Sequence, residues 1–153
     1  MTILDRFLEI ARQEVGVAEI PGQKSNKRIL EYLATCKDKP QADEVPWCSA
    51  FVNWVVNQAG EVGTNSLSAR SWQEWGKLMQ SPQPGCIAVF RRTKNPVLGH
   101  VGIFVSRTRF SVKIIGGNQN NRVSEGTFSS ADLICYRCPS DFLIQKGCSK
   151  DGS

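Results

Sequence analysis

Histidine is almost absent from this chain of 153 residues, in which His100 is the only one. Long apolar runs are absent too, since no stretch approaches the roughly 20 apolar residues that a membrane-spanning helix needs. The N-terminal segment lacks the uncharged core of a signal peptide, because charged residues interrupt its apolar positions. We therefore expect no membrane span and no cleaved signal. Synthesis is expected in the cytoplasm, with some other route of delivery for any role outside it.

Internal repeats, low-complexity tracts and interdomain linkers are also missing. A chain of this length is the size of one domain and can bury a hydrophobic core. We expect a single domain over residues 1–144, followed by a loose C-terminal tail over residues 145–153.

Signals for metal and nucleic-acid binding are weak. Cys135 and Cys138 form a CxxC pair, but a zinc ribbon needs a second pair, and DLICYRC predicts a strand rather than the helix start of a redox site. The net charge is +5, yet the basic residues are scattered and no RNA- or DNA-binding motif accompanies them. We expect no metal, no cofactor and no nucleic-acid partner. The charge favours an anionic polymer as partner, or reflects only a solvated basic surface.

The chain has six cysteines, which is many for its length. If Cys48 is a reactive thiol, the other five cannot all pair within one chain, so at least one more stays a thiol or pairs between chains. The count favours an oxidising compartment, whereas the spacing leaves the compartment open.

The order of the predicted elements indicates an α+β fold. Helical periodicity appears from Ile3 to Val15, with Thr2 and Asp5 suited to capping its start, and again around Ile29. PWCSAFVNWVVNQAG predicts a central buried helix, and SARSWQEWGKL a further short one. Downstream, β-rich runs are separated by turn residues: CIAVF, HVGIFVS, FSVKIIGG and DLICYRC. N-terminal helices should therefore pack on a C-terminal antiparallel β-sheet.

Cys48 and His100 together indicate nucleophilic catalysis. Cys48 lies in the first turn of the predicted central helix, where free N–H groups and the helix dipole stabilise a thiolate. The backbone N–H of Cys48 is also a candidate donor to an oxyanion. His100 opens a predicted strand after Gly99, and an imidazole beside the thiol would complete a thiolate–imidazolium pair. A structural role for a lone histidine is the competing interpretation.

A third element, GGNQNN, follows the strand after the histidine strand. An antiparallel hairpin would return this segment to the side of His100, where an amide oxygen could orient the ring. Asn118 is the first candidate and Gln119 the second, although both could be ordinary turn residues.

These residues resemble the papain-like cell-wall hydrolases of the NlpC and CHAP (cysteine, histidine-dependent amidohydrolase/peptidase) families. The shared pattern runs in order over most of residues 19–124: EIPG, DEVPWCSAFVNW, SARSWQEWG, PGCIAVF, GHVGIFV and GGNQNNRVS. The resemblance implies a papain-like fold in which Cys48 is the nucleophile, His100 the general base and acid, and Asn118 the orienting residue. One departure is Cys86, which stands where such proteins often carry aspartate.

The resemblance further implies an amidase or endopeptidase that cuts the peptide part of peptidoglycan through a thioester. A small subgroup found in phage lysins and secretion-associated proteins shares the pattern. The resemblance to this subgroup implies a type VI secretion antibacterial effector, with an immunity protein that occludes the site, or else a phage endolysin. In either case the protein would act in the periplasm or cell wall of a target cell. Candidate substrate-binding residues are Glu19, Asp43, Glu44, Trp47, Trp72 and Gln119. An exposed acidic loop and core packing are the competing interpretations for the acids and the tryptophans.

Two other classes of function stay open. An amine that resolves the thioester would make the same site an acyltransferase or transglutaminase, and an unreactive Cys48 would leave a non-catalytic wall-binding module. The scissile bond is also open among the γ-D-glutamyl–diaminopimelate, D-alanyl–diaminopimelate and muramoyl–L-alanine bonds, because pocket shape decides between them.

Overall fold

The computed structural model describes residues 1–20, 26–37, 47–92 and 95–143. Three α-helices come first: α1 (Ile3–Glu14), α2 (Lys27–Ala34) and α3 (Cys48–Gln58). A 3-10 helix (Ala69–Glu74) follows, and a second one (Ser130–Asp132) precedes the last strand. The strands are β1 (Lys77–Met79), β2 (Ile87–Arg92), β3 (Asn95–Arg107), β4 (Ser111–Gln119), β5 (Arg122–Ser129) and β6 (Leu133–Cys138).

The predicted start of α1 is confirmed. Thr2 Oγ1 accepts from the Asp5 backbone N–H at 3.2 Å, and the Asp5 carboxylate accepts from the Thr2 N–H at 2.9 Å. This reciprocal capping box satisfies two of the donors that a helix start leaves free. Leu4, Phe7 and Ala11 then lie on one face and are buried, as the periodicity predicts.

Helix α3 is the centre of the helical layer. Its residues from Cys48 to Val56 are all buried, because α1 and α2 cover one side and strands β3 and β4 the other. Its buried residues are mostly apolar, which favours such a central position, and the buried polar side chains of Ser49 and Asn53 are hydrogen-bonded. Packing of α3 on β3 and β4 thereby fixes the position of Cys48 relative to these strands.

All strand pairs of the six-stranded sheet are antiparallel, in the order β1-β6-β2-β3-β4-β5. The predicted α+β class, with N-terminal helices on a C-terminal antiparallel sheet, is confirmed. The last described residue is Leu143, so the predicted tail over 145–153 lies outside the described residues.

Two parts of the secondary structure differ from the sequence-based expectation. The predicted helix around SARSWQEWGKL is a 3-10 helix that ends at Glu74, and Lys77 already belongs to strand β1. Gly76 separates the two with a φ of 59°, a conformation that stops a helix. Strand β5 was not predicted, because its sequence RVSEGTFS has few large apolar residues.

Candidate active site

Cys48 is the first residue of helix α3 and is 2% exposed. Trp47 occupies the N-cap position, and no side chain caps the helix. The first N–H groups of a helix have no intrahelical partner, so they point beyond its N-terminus as donors. An uncapped start is costly for stability, but it keeps the Cys48 N–H available to an anion beside the thiol.

His100 lies on β3 directly opposite Phe90 of β2. Its ring stacks on Phe128 of β5, with ring centroids 5.0 Å apart. Gly99 precedes it for a steric reason: a Cβ there would come within 2.7 Å of the Phe90 carbonyl oxygen and 3.1 Å of Arg70 Nε. The imidazole is therefore held on one side by aromatic packing and is 6% exposed.

The structure brings Cys48 and His100 together, and each changes the proton affinity of the other. Burial of the thiol raises its pKa, but the charge of His100 and a hydrogen bond with its ring outweigh burial, and the pKa of Cys48 is lowered. Burial lowers the pKa of His100, whereas the charge of Cys48 and hydrogen bonds to Cys48 and Gln119 raise it, with a net increase. The two directions together favour a thiolate–imidazolium pair.

Gln119 supplies the third element. Its Oε1 lies 2.8 Å from His100 Nε2, and its Nε2 donates to the Ser124 carbonyl oxygen at 2.8 Å. Because the amide nitrogen is engaged by a carbonyl, the amide oxygen must face the imidazole and accept its N–H. That leaves Nδ1 as the ring nitrogen that faces the Cys48 thiol.

Gly116 makes room for this contact. A Cβ at position 116 would overlap Gln119 Oε1 and lie 3.2 Å from His100 Nε2. A side chain here would therefore push the amide away from the ring.

Gln119, and not the first candidate Asn118, contacts His100. Strands β3 and β4 pair Ile103 with Ile115, and continuing that register would set Asn118 opposite His100. The register of β4 with β5 shifts by one residue between Gly116 and Gln119, and Asn118 adopts a φ of 59°. This bulge inserts an extra residue and brings the Gln119 side chain to the imidazole.

A cleft of about 610 Å³ opens on the imidazole side of the pair. It is lined by His100 and Gln119 together with residues from β2 and β5, but Cys48 is not part of its lining. Two arginines line it as well. Arg91 is held by Asp132, at 3.9 Å, and by the Ala131 carbonyl oxygen. Arg92 has no acidic partner among the described residues, and its charge acts on both Cys48 and His100.

The other predicted residues divide into three groups. Trp47 is 3% exposed, and its Nε1 donates to the exposed Glu19 carboxylate at 3.1 Å, so these two residues contact each other at the start of α3. Trp72 is 0% exposed and donates to Ser49 Oγ at 2.9 Å, so the structure corrects its assignment to a cleft wall and places it in the core. Asp43 and Glu44 lie outside the described residues.

Phe128 and Ser124 were missed by the sequence reasoning. Both belong to β5, which has no clear strand pattern, so neither could be placed beside His100. The asparagines of GGNQNN were the available signal: Asn118, Asn120 and Asn121 all have positive φ, which asparagine tolerates better than most residues.

No group of three or more His, Cys, Asp or Glu within residues 1–20, 26–37, 47–92 and 95–143 could hold a metal ion. None of the helices in these ranges is both long and apolar enough to cross a bilayer.

Comparisons with known proteins agree with this geometry. The family model of the CHAP domain matches residues 40–118. Comparison with curated proteins gave no match. Among solved structures, NlpC1 and NlpC2 from Trichomonas vaginalis superpose with TM-scores of 0.56 and 0.57 at 19% and 15% identity, covering 88% of this chain in each case. A protein from Staphylococcus aureus, described as similar to lipoprotein and of the NLP/P60 family, gives 0.53 at 19% identity over 90% of this chain.

The chain spans less than half of each of these three proteins, at 43%, 45% and 41% of their lengths. At such identities the likeness concerns the fold, which is the papain-like fold that the sequence pattern implies. The family match covers about half of the 153 residues and includes Cys48, His100 and Asn118. The chain belongs to the CHAP domain family.

Proposed function

We propose that this protein is a cysteine hydrolase that cleaves an amide bond in the peptide part of peptidoglycan. The observation that carries the proposal is the coupled pair of Cys48, at the open start of α3, and His100, whose Nε2 is held by Gln119. Membership of the CHAP domain family supports the substrate class.

In the first half of the reaction, the Cys48 thiolate attacks the amide carbonyl carbon. The resulting oxyanion accepts a hydrogen bond from the Cys48 N–H, which no side-chain cap competes for. His100 then donates its Nδ1 proton to the departing amine, leaving a thioester on Cys48. Gln119 acts as a positioning residue, because it holds the ring so that Nδ1 faces the reacting atoms.

In the second half, neutral His100 takes a proton from water, and the hydroxide attacks the thioester carbonyl. Collapse of this intermediate releases the carboxylic acid and restores the thiolate–imidazolium pair. Each turnover thus adds one water across the amide bond. If an amine replaced the water, the product would be a new amide.

The cleft beside His100 is suited to the amine-side half of the substrate, because it borders the proton donor and not the thiol. Arg92, which has no acidic partner in the part of the chain that the structure describes, would attract a carboxylate on that half, since Arg91 is already held by Asp132. Stem peptides of peptidoglycan carry such carboxylates. A net charge of +5 would in addition favour association with the anionic wall.

The decisive experiment is a digest of purified sacculi, with products separated by mass. Wild type should release fragments heavier by one water, and Cys48→Ala should release none. Cys135→Ala is the matched control, because Cys135 lies on β6 outside the site and should leave digestion unchanged. Intact sacculi with folded, reduced wild type would overturn the hydrolase proposal, and products joined to an added amine without gain of water would favour acyl transfer.

For the biological setting, we propose a type VI secretion antibacterial effector that acts in the periplasm of a target cell, on the basis of the sequence pattern over residues 19–124. Expression directed to the periplasm of a bacterial host should then lyse the cells, whereas cytoplasmic expression should not. Cys48→Ala should abolish lysis. A cognate immunity protein should bind the folded effector and restore growth. Lysis only in the presence of a phage holin would instead favour the endolysin.

A further inference from the structure

Cys86 and Cys138 are two thiols that the proposed reaction does not use. Strands β2 and β6 pair Ile87 with Arg137, Ala88 with Tyr136 and Val89 with Cys135. One further step in this register sets Cys86 directly opposite Cys138. Both side chains are 0% exposed, and residues directly opposite on antiparallel strands project to the same face of the sheet.

The backbone hydrogen bonds show which kind of pair this is. The Cys86 carbonyl oxygen accepts from the Phe104 N–H on β3, at 2.8 Å, and therefore points away from β6. The Cys138 carbonyl oxygen points to the other neighbour: it lies so close to Gly76, next to β1, that a Cβ there would overlap it. Cys86 and Cys138 are thus a non-hydrogen-bonded pair.

This distinction decides whether a disulfide fits. Opposite Cα atoms lie about 4.5 Å apart in a non-hydrogen-bonded pair and about 5.5 Å apart in a hydrogen-bonded one, with side chains closer in the former. Disulfides span Cα separations of about 4.4–6.8 Å. The backbone register of the two strands is therefore compatible with a disulfide, and the Cys138 thiol would leave its 3.9 Å contact with the Lys77 carbonyl oxygen to form it.

We propose that Cys86 and Cys138 form a cross-strand disulfide when the protein folds in an oxidising compartment. One thiolate attacks the disulfide of a small-molecule or protein oxidant, giving a mixed disulfide and one oxidant thiol. The second cysteine thiolate attacks the mixed disulfide and releases the second oxidant thiol. Two protein thiols are oxidised and one oxidant disulfide is reduced, so protons and electrons balance.

The burial of both thiols determines at which stage the disulfide can form. It raises the pKa of Cys86 to about 12 and raises that of Cys138, so neither thiol is appreciably ionised in the folded reduced chain. The bond should therefore form during folding, before β6 closes on β2. Once formed, it would join the residue before β2 to the end of β6 and constrain the unfolded chain between them.

The test compares the full chain refolded from denaturant with oxidised and reduced glutathione and the same chain refolded with a strong reductant. After denaturation, free thiols are alkylated and peptides are mapped by mass without reduction. A Cys86–Cys138 linked peptide should appear in the oxidised sample alone. The thermal midpoint of the oxidised protein should exceed that of the reduced protein. This difference should vanish in C86S/C138S and persist in C135S.

Complete alkylation of Cys86 and Cys138 after oxidative refolding would overturn the proposal. So would a peptide that links either cysteine to another partner. Peptide mapping of the wild type needs no variant, so the proposal remains testable even if the double variant folds poorly. Neither outcome depends on whether the protein hydrolyses peptidoglycan.

Discussion

Gln119 Oε1 lies 2.8 Å from His100 Nε2, and the opposite end of the same amide is fixed by the Ser124 carbonyl oxygen. The amide therefore has one usable orientation, and the imidazole N–H has one acceptor.

The first prediction concerns the choice between the two amides. Gln119→Ala should lower kcat/KM roughly 10- to 100-fold, because a hydrogen bond to a charged group is worth about 1.5–3 kcal/mol. Asn118→Ala should have a smaller effect, since Asn118 lies in the bulge and the hydrogen bond to the ring comes from Gln119. The measurement is the rate of muropeptide release by each variant. A larger loss for Asn118→Ala, with the fold intact by circular dichroism, would assign the positioning role to Asn118 instead.

The second prediction uses the space at Gly116. Gly116→Ala should fold, because the new methyl meets the movable end of Gln119, but it should lower activity about as much as Gln119→Ala. The double variant Gly116→Ala/Gln119→Ala should be little worse than Gln119→Ala alone, since the methyl then no longer meets the Gln119 amide and only its 3.2 Å approach to His100 Nε2 remains. Additive losses in this cycle would show that Gly116 acts by some other route.

The third prediction concerns pH. A thiolate–imidazolium pair gives a bell-shaped kcat/KM profile, which rises as Cys48 loses its proton and falls as His100 loses its own. Because the pKa of Cys48 is lowered and that of His100 is raised, the rise should lie below the ordinary thiol value of about 8.5 and the fall above the ordinary imidazole value of about 6.5.

The Arg92 charge should shift this profile. Its removal in Arg92→Gln leaves the thiolate less stabilised and the imidazolium less repelled, so the pKa of both Cys48 and His100 should rise. Both limbs of the bell should then move to higher pH, and Arg92→Lys should restore them. Arg91→Gln is the matched control, because Arg91 is occupied by Asp132. An unchanged profile for Arg92→Gln would remove Arg92 from the electrostatics of the site.

The fourth prediction separates stability from catalysis. Ser49 Oγ accepts from Trp72 Nε1 at 2.9 Å and donates to the Ser66 carbonyl oxygen at 2.6 Å. Ser49→Ala removes the acceptor of the buried Trp72 N–H, which should cost about 1–3 kcal/mol of unfolding free energy, while the Ser66 carbonyl oxygen keeps its bond from Asn53 Nδ2. The thermal midpoint should fall by several degrees while the pH profile keeps its position. A stability like that of the exposed-site variant Ser106→Ala would contradict this account.

Much of the architecture was predictable, because the local sequence signals for helices and strands agree with the pattern of buried residues. The Thr2–Asp5 capping box, the buried central helix that begins at Cys48 and the order of helices before strands all follow from the sequence. Strand β5 was not predictable, since its small and polar residues carry little alternation. The placement of Gln119 depends on a one-residue bulge, and a simple register argument selects Asn118 instead.

Strand β5 lies at one edge of the sheet. The segment after α1 runs along this edge: the Val123 N–H donates to the Val17 carbonyl oxygen at 2.8 Å, and the Glu19 N–H donates to the carbonyl oxygen of Asn121, just before β5, at 2.9 Å. The same strand carries Ser124 and Phe128, which fix Gln119 and flank His100. Sheet edges open before the core does. On heating, the protein should therefore lose the proposed hydrolytic activity reversibly at temperatures where its far-ultraviolet signal is still native, so that inactivation precedes melting.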